Sequence, residues 1–321
     1  MDKMTNYFLK SEKLVSFLKN IAQKGLKQAY LFSSTDKTKN YASCEILAML
    51  ACCQTKSACM TCSCCQKIFN NNSVDYFIYP RKDSILVEDI EEIISSCYIL
   101  PLENEFKIYV LNDFDKANVA SQNKFLKTLE EPPKNVIFLL NTTKTDMILS
   151  TIKSRCEKII LPSFSENDFL ELLEKNNICV DETILECSGN NFGTYLNFLS
   201  ADFSETFDYC LEIVSKMKQS SDVLTYSSKI AKDKANLENY FRALLIIFEN
   251  MLLAKTSEDK IILKSKKKEI LTLCTDFSER ASVEILNDLI LSNKQLNFNT
   301  NENLVIDCML IDILKEKHEW N

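Results

Sequence analysis

The first half of the chain alternates between two hydrophobic periods. Short apolar runs at residues 29–32, 75–80, 106–113, 136–140 and 159–161 read as buried strands. Between them lie stretches with helical spacing. Residues 14–28 carry Leu14, Phe17, Leu18, Ile21 and Leu26, with Gly25 placed to end the helix. Residues 42–53 put Ile46, Leu47 and Leu50 on one face, and residues 85–97 do the same with Ile85, Val87, Ile90, Ile93 and Ile94. Residues 119–131 bury Phe125, Leu126 and Leu129 and stop before Pro132 and Pro133, and residues 146–153 form a short helix around Ile148, Leu149 and Ile152. Strands that are apolar on both faces and alternate with helices predict an α/β domain built on a parallel sheet.

After residue 162 the period is helical throughout. Residues 164–176, 182–188 and 192–199 predict a small helical unit. Residues 203–217, 237–255, 263–274, 281–292 and 301–316 predict a last helical block. The expected division is an α/β domain at 1–162, a small helical domain at 163–202 and an all-helical domain at 203–321.

Composition changes this picture in three places. The chain has 321 residues and only three glycines, Gly25, Gly189 and Gly193, so residues 26–188 contain none. The net charge of −7 argues against a protein that grips nucleic acid by itself, since phosphate contacts dominate such affinity. Four of the 38 basic residues are arginines, Arg81, Arg155, Arg242 and Arg280, so a retained arginine points to a site that needs a planar fork. No secretory signal and no membrane-spanning run are visible, and a cytoplasmic protein is expected. The lysines of residues 264–268 read as a solvated helix face, and the single histidine, His318, leaves no Ser-His-Asp or Cys-His arrangement.

The chemistry concentrates in three stretches. Six of the 14 cysteines fall between Cys52 and Cys65, and Cys53, Cys59, Cys62 and Cys65 have spacings that let four thiolates meet around one Zn²⁺. The adjacent Cys52 is an equal candidate for the first ligand. Four sulfurs leave no open coordination position, so the zinc would be structural. The second stretch is residues 33–41, between a strand and a helix, where a phosphate-binding loop would sit. Such a loop needs glycines, a lysine and a Ser/Thr for Mg²⁺. Here Ser34 stands at the first glycine, Lys37 and Lys39 at later ones, Asn40 at the lysine and Tyr41 at the hydroxyl. The third is the end of the strand at 106–113, where an Asp-Glu pair would hold Mg²⁺ and orient water; Asn112 and Asp113 stand there instead.

Several strings resemble the clamp-loader subunits of bacterial DNA polymerase III. They are Leu126-Lys-Thr-Leu-Glu-Glu-Pro-Pro133, Phe138-Leu-Leu-Asn-Thr-Thr143 and Ser154-Arg-Cys156, with the cysteine module after the first helix. The stretch 296–307 followed by Met309-Leu-Ile311 is similar to the end of that family's collar domain. The resemblance implies an AAA+-type α/β domain, a helical lid at 163–202 and a collar at 203–321 through which five subunits form a ring. Lacking the phosphate loop, the acidic pair and any arginine between Arg155 and Arg242, the chain is similar to the delta-prime type. That type implies no enzymatic activity and no bound ATP, partnership with gamma/tau motor subunits and the delta subunit, indirect contact with primed DNA and the sliding clamp, and Arg155 acting in trans on a neighbour's ATP. The first cysteine gap is shorter than the family commonly has. Competing expectations are an active gamma/tau-type ATPase and a zinc-stabilised adaptor outside replication; for Arg155 the plain alternative is a surface salt bridge.

Overall fold

The computed structural model describes residues 4–296 and 301–319. Part of the stretch similar to the collar end, residues 297–300, and the terminal Trp320 lie outside the described residues. Two compact units are present: Met1–Cys179 with Asn191–Gly193, and Val180–Asn190 with Thr194–Asn321.

The first unit opens with helices α1 (Met4–Leu9) and α2 (Glu12–Gln23), then β1 (Ala29–Ser33), α3 (Lys37–Cys52), α4 (Ser63–Phe69) and β2 (Tyr76–Tyr79). It continues through α5 (Val87–Cys97), β3 (Lys107–Leu111), α6 (Val119–Glu130), β4 (Val136–Thr142), α7 (Ser150–Lys153), β5 (Glu157–Ile160) and α8 (Glu166–Lys175). The five strands form one parallel sheet in the order β2-β3-β4-β1-β5. All seven residues of the central strand β4 are buried, the apolar run Val136–Leu140 and the polar Asn141 and Thr142 that follow it. Ala29 and Leu31 of β1 join a core under α5 and α6 with Ile90, Ile93, Phe114, Phe125 and Phe138. Phe125 meets Phe138 edge-on, with ring centroids 5.1 Å apart. Successive strand residues face opposite sides, so Tyr30 and Phe32 serve the other face.

Helix α3 packs against α1, α2, α4 and the sheet. It is buried along most of its length, the polar Lys39, Asn40, Ser43 and Glu45 included. It starts at Lys37, not at residue 42 as the apolar period suggested. Asp36 caps it, accepting from the backbone of Thr38 and Lys39. Lys37, Lys39, Asn40 and Tyr41 are therefore helical residues, and the strand-to-helix connection is only residues 34–36.

The second unit is helical: α9 (Glu182–Ser188), most of α10 (Phe192–Ser200), α11 (Phe203–Lys216), α12 (Ser220–Lys232), α13 (Leu237–Thr256), α14 (Lys267–Leu273), α15 (Glu279–Leu296) and α16 (Glu302–Glu319). Helix α13 packs on α11 and α15, and α16 packs on α12 and α15. Helices α1, α4 and α12 escaped the periodicity reading. Among the lysines of residues 264–268, Lys266 pairs with Asp208 and Lys267 with Glu258. Among the described residues no helix is long and apolar enough to cross a membrane.

Candidate functional site

In a parallel sheet every strand ends on the same edge. The connection after β1 and residues Asn112 and Asp113 after β3 therefore share the C-terminal edge, where a nucleotide site would form. The structure brings several of these positions together there. Asp113 accepts from the Tyr41 hydroxyl at 2.6 Å and forms ion pairs with Lys37, at 2.5 Å, and Lys116, at 3.1 Å. Its backbone is left-handed, with φ 50°, and its N–H donates to Asn141 Oδ1 at 3.1 Å. Burial works against ionisation of this carboxylate, but the hydrogen bonds from Lys37, Tyr41 and Lys116 outweigh it and hold its pKa below the usual value.

The other candidates are also engaged internally. Ser34 Oγ donates to Asn40 Oδ1 at 2.8 Å, and Asn40 Nδ2 donates to Thr142 O at 2.9 Å. Lys39 is 3% exposed, donates to the carbonyl of Pro162 and lies 3.8 Å from the centre of the Phe164 ring. Burial is the main cause of its pKa being lowered to about 8. Asn112 Oδ1 accepts from Asn141 Nδ2 at 2.5 Å. Three residues that contribute here were not singled out from the sequence: Asp36, Lys116 and Asn141. The Asp before a helix start was the one available signal; the roles of Lys116 and Asn141 depend on strands meeting in space.

Arg155 lies on the opposite edge. It follows α7 and precedes β5, and Glu157 of β5 is in register with Tyr30 of β1. Arg155 is thus level with residue 28, about six residues or roughly 20 Å of strand from Ser34. Its Nη1 donates to the Thr151 carbonyl at 2.8 Å, and Nη2 forms an ion pair with Glu130 at the end of α6. The side chain is 30% exposed and lines an open groove with Lys27, Gln28, Leu129 and Pro132. No arrangement of this side chain reaches its own chain's phosphate-loop position.

The third site is a cluster of sulfurs. The Sγ atoms of Cys53, Cys59, Cys62 and Cys65 lie within 4.8 Å of one another. Cys53 is 3.7 Å from Cys59 and 4.0 Å from Cys62, sulfur to sulfur. A tetrahedron with Zn–S bonds of ~2.3 Å has edges of roughly 3.8 Å, so the donor set fits zinc. The alternative first ligand, Cys52, ends α3 and is not among the four clustered sulfurs. The backbone N–H groups of Cys62 and Cys65 donate to the sulfurs of Cys59 and Cys62, both at 3.4 Å. Burial opposes ionisation of Cys53, but hydrogen bonds from the Cys59 backbone and the Thr55 hydroxyl lower its pKa to about 5. The Thr61 hydroxyl leads the causes that bring Cys59 to about 7, while burial raises Cys65. The turns are tight and lack glycine: Lys56, Ala58 and Met60 have φ of 51°, 51° and 59°, at a cost of about 1–2 kcal/mol each.

The chain matches a family model described as "DNA polymerase III, delta subunit" over residues 10–165. It is 28% identical over 214 residues to the DNA polymerase III subunit gamma of Buchnera aphidicola subsp. Schizaphis graminum, covering 66% of this chain and 54% of that protein. It is 23% identical over 342 residues to the subunit tau of Bacillus subtilis, covering 96% of this chain and 61% of that protein. A solved structure of a gamma subunit-related protein from Thermotoga maritima aligns over 95% of this chain and all of its own, with 18% identity and a TM-score of 0.49. Over residues 10–165 the chain is thus similar to the DNA polymerase III delta-subunit family model, and the curated relatives it resembles are gamma and tau subunits of DNA polymerase III. The chain spans about half the length of the first curated relatives it matches: 54%, 46% and 47%.

Proposed function

We propose that the chain is a non-catalytic, delta-prime-type subunit of the DNA polymerase III clamp loader, and that it lends Arg155 to the ATP site of a neighbouring motor subunit. One observation carries this reading: the C-terminal edge of the sheet, where a nucleotide would bind, is occupied by the chain's own side chains, while Arg155 stands on the opposite edge. An arginine about 20 Å from its own phosphate-loop position serves a site on another subunit or none.

The chemistry suits that role. A guanidinium is charged at every physiological pH and forks onto phosphate oxygens. Glu130 and the Thr151 carbonyl hold it in place, and a neighbour's γ-phosphate competes with the Glu130 carboxylate for the same donors. The chain's own ATP site supports no hydrolysis. Lys37 is neutralised by Asp113, the Mg²⁺ position carries Tyr41 in place of a Ser or Thr and its phenol is spent on Asp113, and Asn112 lacks the anionic charge a metal wants. In this reading no ATP is bound and the chain is not an enzyme by itself. Its partners are the gamma/tau motor subunits and the delta subunit in a cytoplasmic ring of five, with the sliding clamp and primed DNA met through the assembly. Residues 163–202 serve as the lid, residues 203–321 as the collar, and Zn²⁺ on Cys53, Cys59, Cys62 and Cys65 as a structural staple.

A gamma/tau-type ATPase is the second reading, favoured by relatives that carry those names. Isothermal titration of the full chain with MgATP separates the two. The proposal expects no binding up to millimolar ATP, and micromolar binding overturns it. Co-purification with gamma and delta subunits of the same host is the companion test. A chain that joins no ring with them is not a clamp-loader subunit.

A further inference from the structure

Asp36 differs from an ordinary helix cap. A capping carboxylate needs one oxygen and usually faces solvent. Asp36 is 4% exposed and uses both. Its Oδ1 accepts from the Thr38 N–H at 2.9 Å, the Thr38 hydroxyl at 2.6 Å and the Lys39 N–H at 3.2 Å. Its Oδ2 accepts from the Phe192 N–H at 2.8 Å, far away in sequence. The first-turn N–H groups of a helix after a strand are the donors a phosphate uses, and here those of Thr38 and Lys39 are already taken.

Segment Asn191–Gly193 is drawn onto the same loop. Asn191 Nδ2 donates to the Thr35 carbonyl at 3.0 Å. A Cβ on Gly193 would come 2.7 Å from Thr38 Cγ2, so only glycine permits this approach. One carboxylate therefore does two things: it satisfies the helix start, and it ties a distant segment to it. An entering phosphate would lack donors and would meet a buried negative charge at short range, where repulsion is poorly screened.

We propose that Asp36 is a built-in anion that stands where a nucleotide phosphate would, fastening segment Asn191–Gly193 to the loop and excluding external phosphates. The inference rests on the reading of this chain as nucleotide-free and names the residue responsible. It makes the fastening independent of nucleotide concentration, because the anion is part of the chain.

The test uses the full chain and Asp36→Ser, which keeps a capping hydroxyl but has neither the charge nor the reach to Phe192. Asp36→Asn keeps size and one capping oxygen but removes the charge and the second acceptor that holds the Phe192 N–H, so it serves if the serine variant folds poorly. Hydrogen exchange at residues 191–193 is expected to quicken about tenfold or more in either variant, while the amides of Ile46–Leu50 in α3 keep their rates. Inorganic pyrophosphate at millimolar concentration is expected to bind Asp36→Ser in a calorimeter, to slow that exchange again, and to leave the wild-type chain unbound. Unchanged exchange at 191–193 in a folded variant overturns the inference, as does pyrophosphate binding to the wild type. MgATP binding by the wild type instead overturns the nucleotide-free reading itself, so the two failures are told apart.

Discussion

The Tyr41 hydroxyl donates to Asp113 at 2.6 Å, and Lys37 and Lys116 pair with the same carboxylate, which is 9% exposed. This carboxylate is held by three donors of the chain itself. Asp113→Ala leaves two ammonium groups and a half-buried phenol without their acceptor, and is expected to cost about 1–3 kcal/mol in urea unfolding. The pH dependence follows from its lowered pKa. A carboxylate whose folded value lies below its unfolded value adds stability that is fully present above about pH 4 and lost as pH falls through the folded value. The acid limb of the stability curve is therefore expected to flatten in Asp113→Asn, and an unchanged limb would show that the carboxylate is not held by its three partners.

Arg155 makes a different kind of prediction, since its proposed partner is on another subunit. In a reconstituted ring whose only competent ATP site is the one beside this chain, Arg155→Ala is expected to lower kcat by about 10³–10⁵. Arg155→Lys should recover little, because an ammonium offers no fork. The stability of the isolated chain should change by no more than about 1 kcal/mol, as for an exposed ion pair. Equal hydrolysis by wild-type and Arg155→Ala rings would leave the Glu130 ion pair as the whole role of this arginine.

The parts of the fold that were legible in the sequence are those governed by local pattern. The strands at β1, β3 and β4 announce themselves because burial on both faces demands unbroken apolar runs, and α6 ends where Pro132 and Pro133 forbid helix. The start of α3 was missed because Lys37-Thr-Lys-Asn-Tyr41 shows no apolar period, although Asp36 was a readable cap. Helix α12 was missed because its few buried residues, Val223, Ser227 and Ile230, are too sparse to set a period. At the candidate site, sequence could mark Lys37 and Asp113 as departures from a phosphate-site pattern. It could not show that they neutralise each other, because 76 residues separate them and only the β3–β4–β1 pairing brings them to one edge. Spacing likewise leaves Cys52 and Cys53 equal, whereas in the structure the Cys53 sulfur lies with the other three.

Lys39 offers a test at the other end of the pH scale. Burial lowers its pKa to about 8, against about 10.4 in an unfolded chain. A lysine depressed in the folded state makes the chain less stable while it is charged in both states, below about pH 8. Stability then rises between about pH 8 and 10.4, where only the unfolded chain holds the proton, by about 3 kcal/mol. Buried thiols such as Cys44 and Cys156, each raised by burial to about 12, act in the opposite direction over the same range. The informative quantity is therefore the difference between wild type and Lys39→Met. The variant is expected to gain stability relative to wild type at pH 7 and to lose that advantage by pH 10; a constant difference would mean that Lys39 titrates normally.

The four-sulfur cluster gives the last prediction. Lys56, Ala58 and Met60 hold left-handed backbone in a segment without glycine, and the sulfurs of Cys53, Cys59 and Cys62 sit at near-tetrahedral separations. Strain of that kind persists where something outweighs it, and a metal bound by four thiolates does so because its binding energy becomes folding energy. Purified chain is expected to release one zinc per molecule to a chromogenic chelator after thiol modification. Removing it should raise hydrogen exchange in α4 and at the C-terminal end of α3, and lower Tm by several degrees, while the β3–β4 amides keep their protection. Cys62→Ser should reproduce the loss, since Cys62 supplies both a ligand and the cap of α4. Cys52→Ser and Cys64→Ser should keep a full equivalent of zinc. Full zinc in Cys62→Ser together with loss in Cys52→Ser would reassign the ligand set.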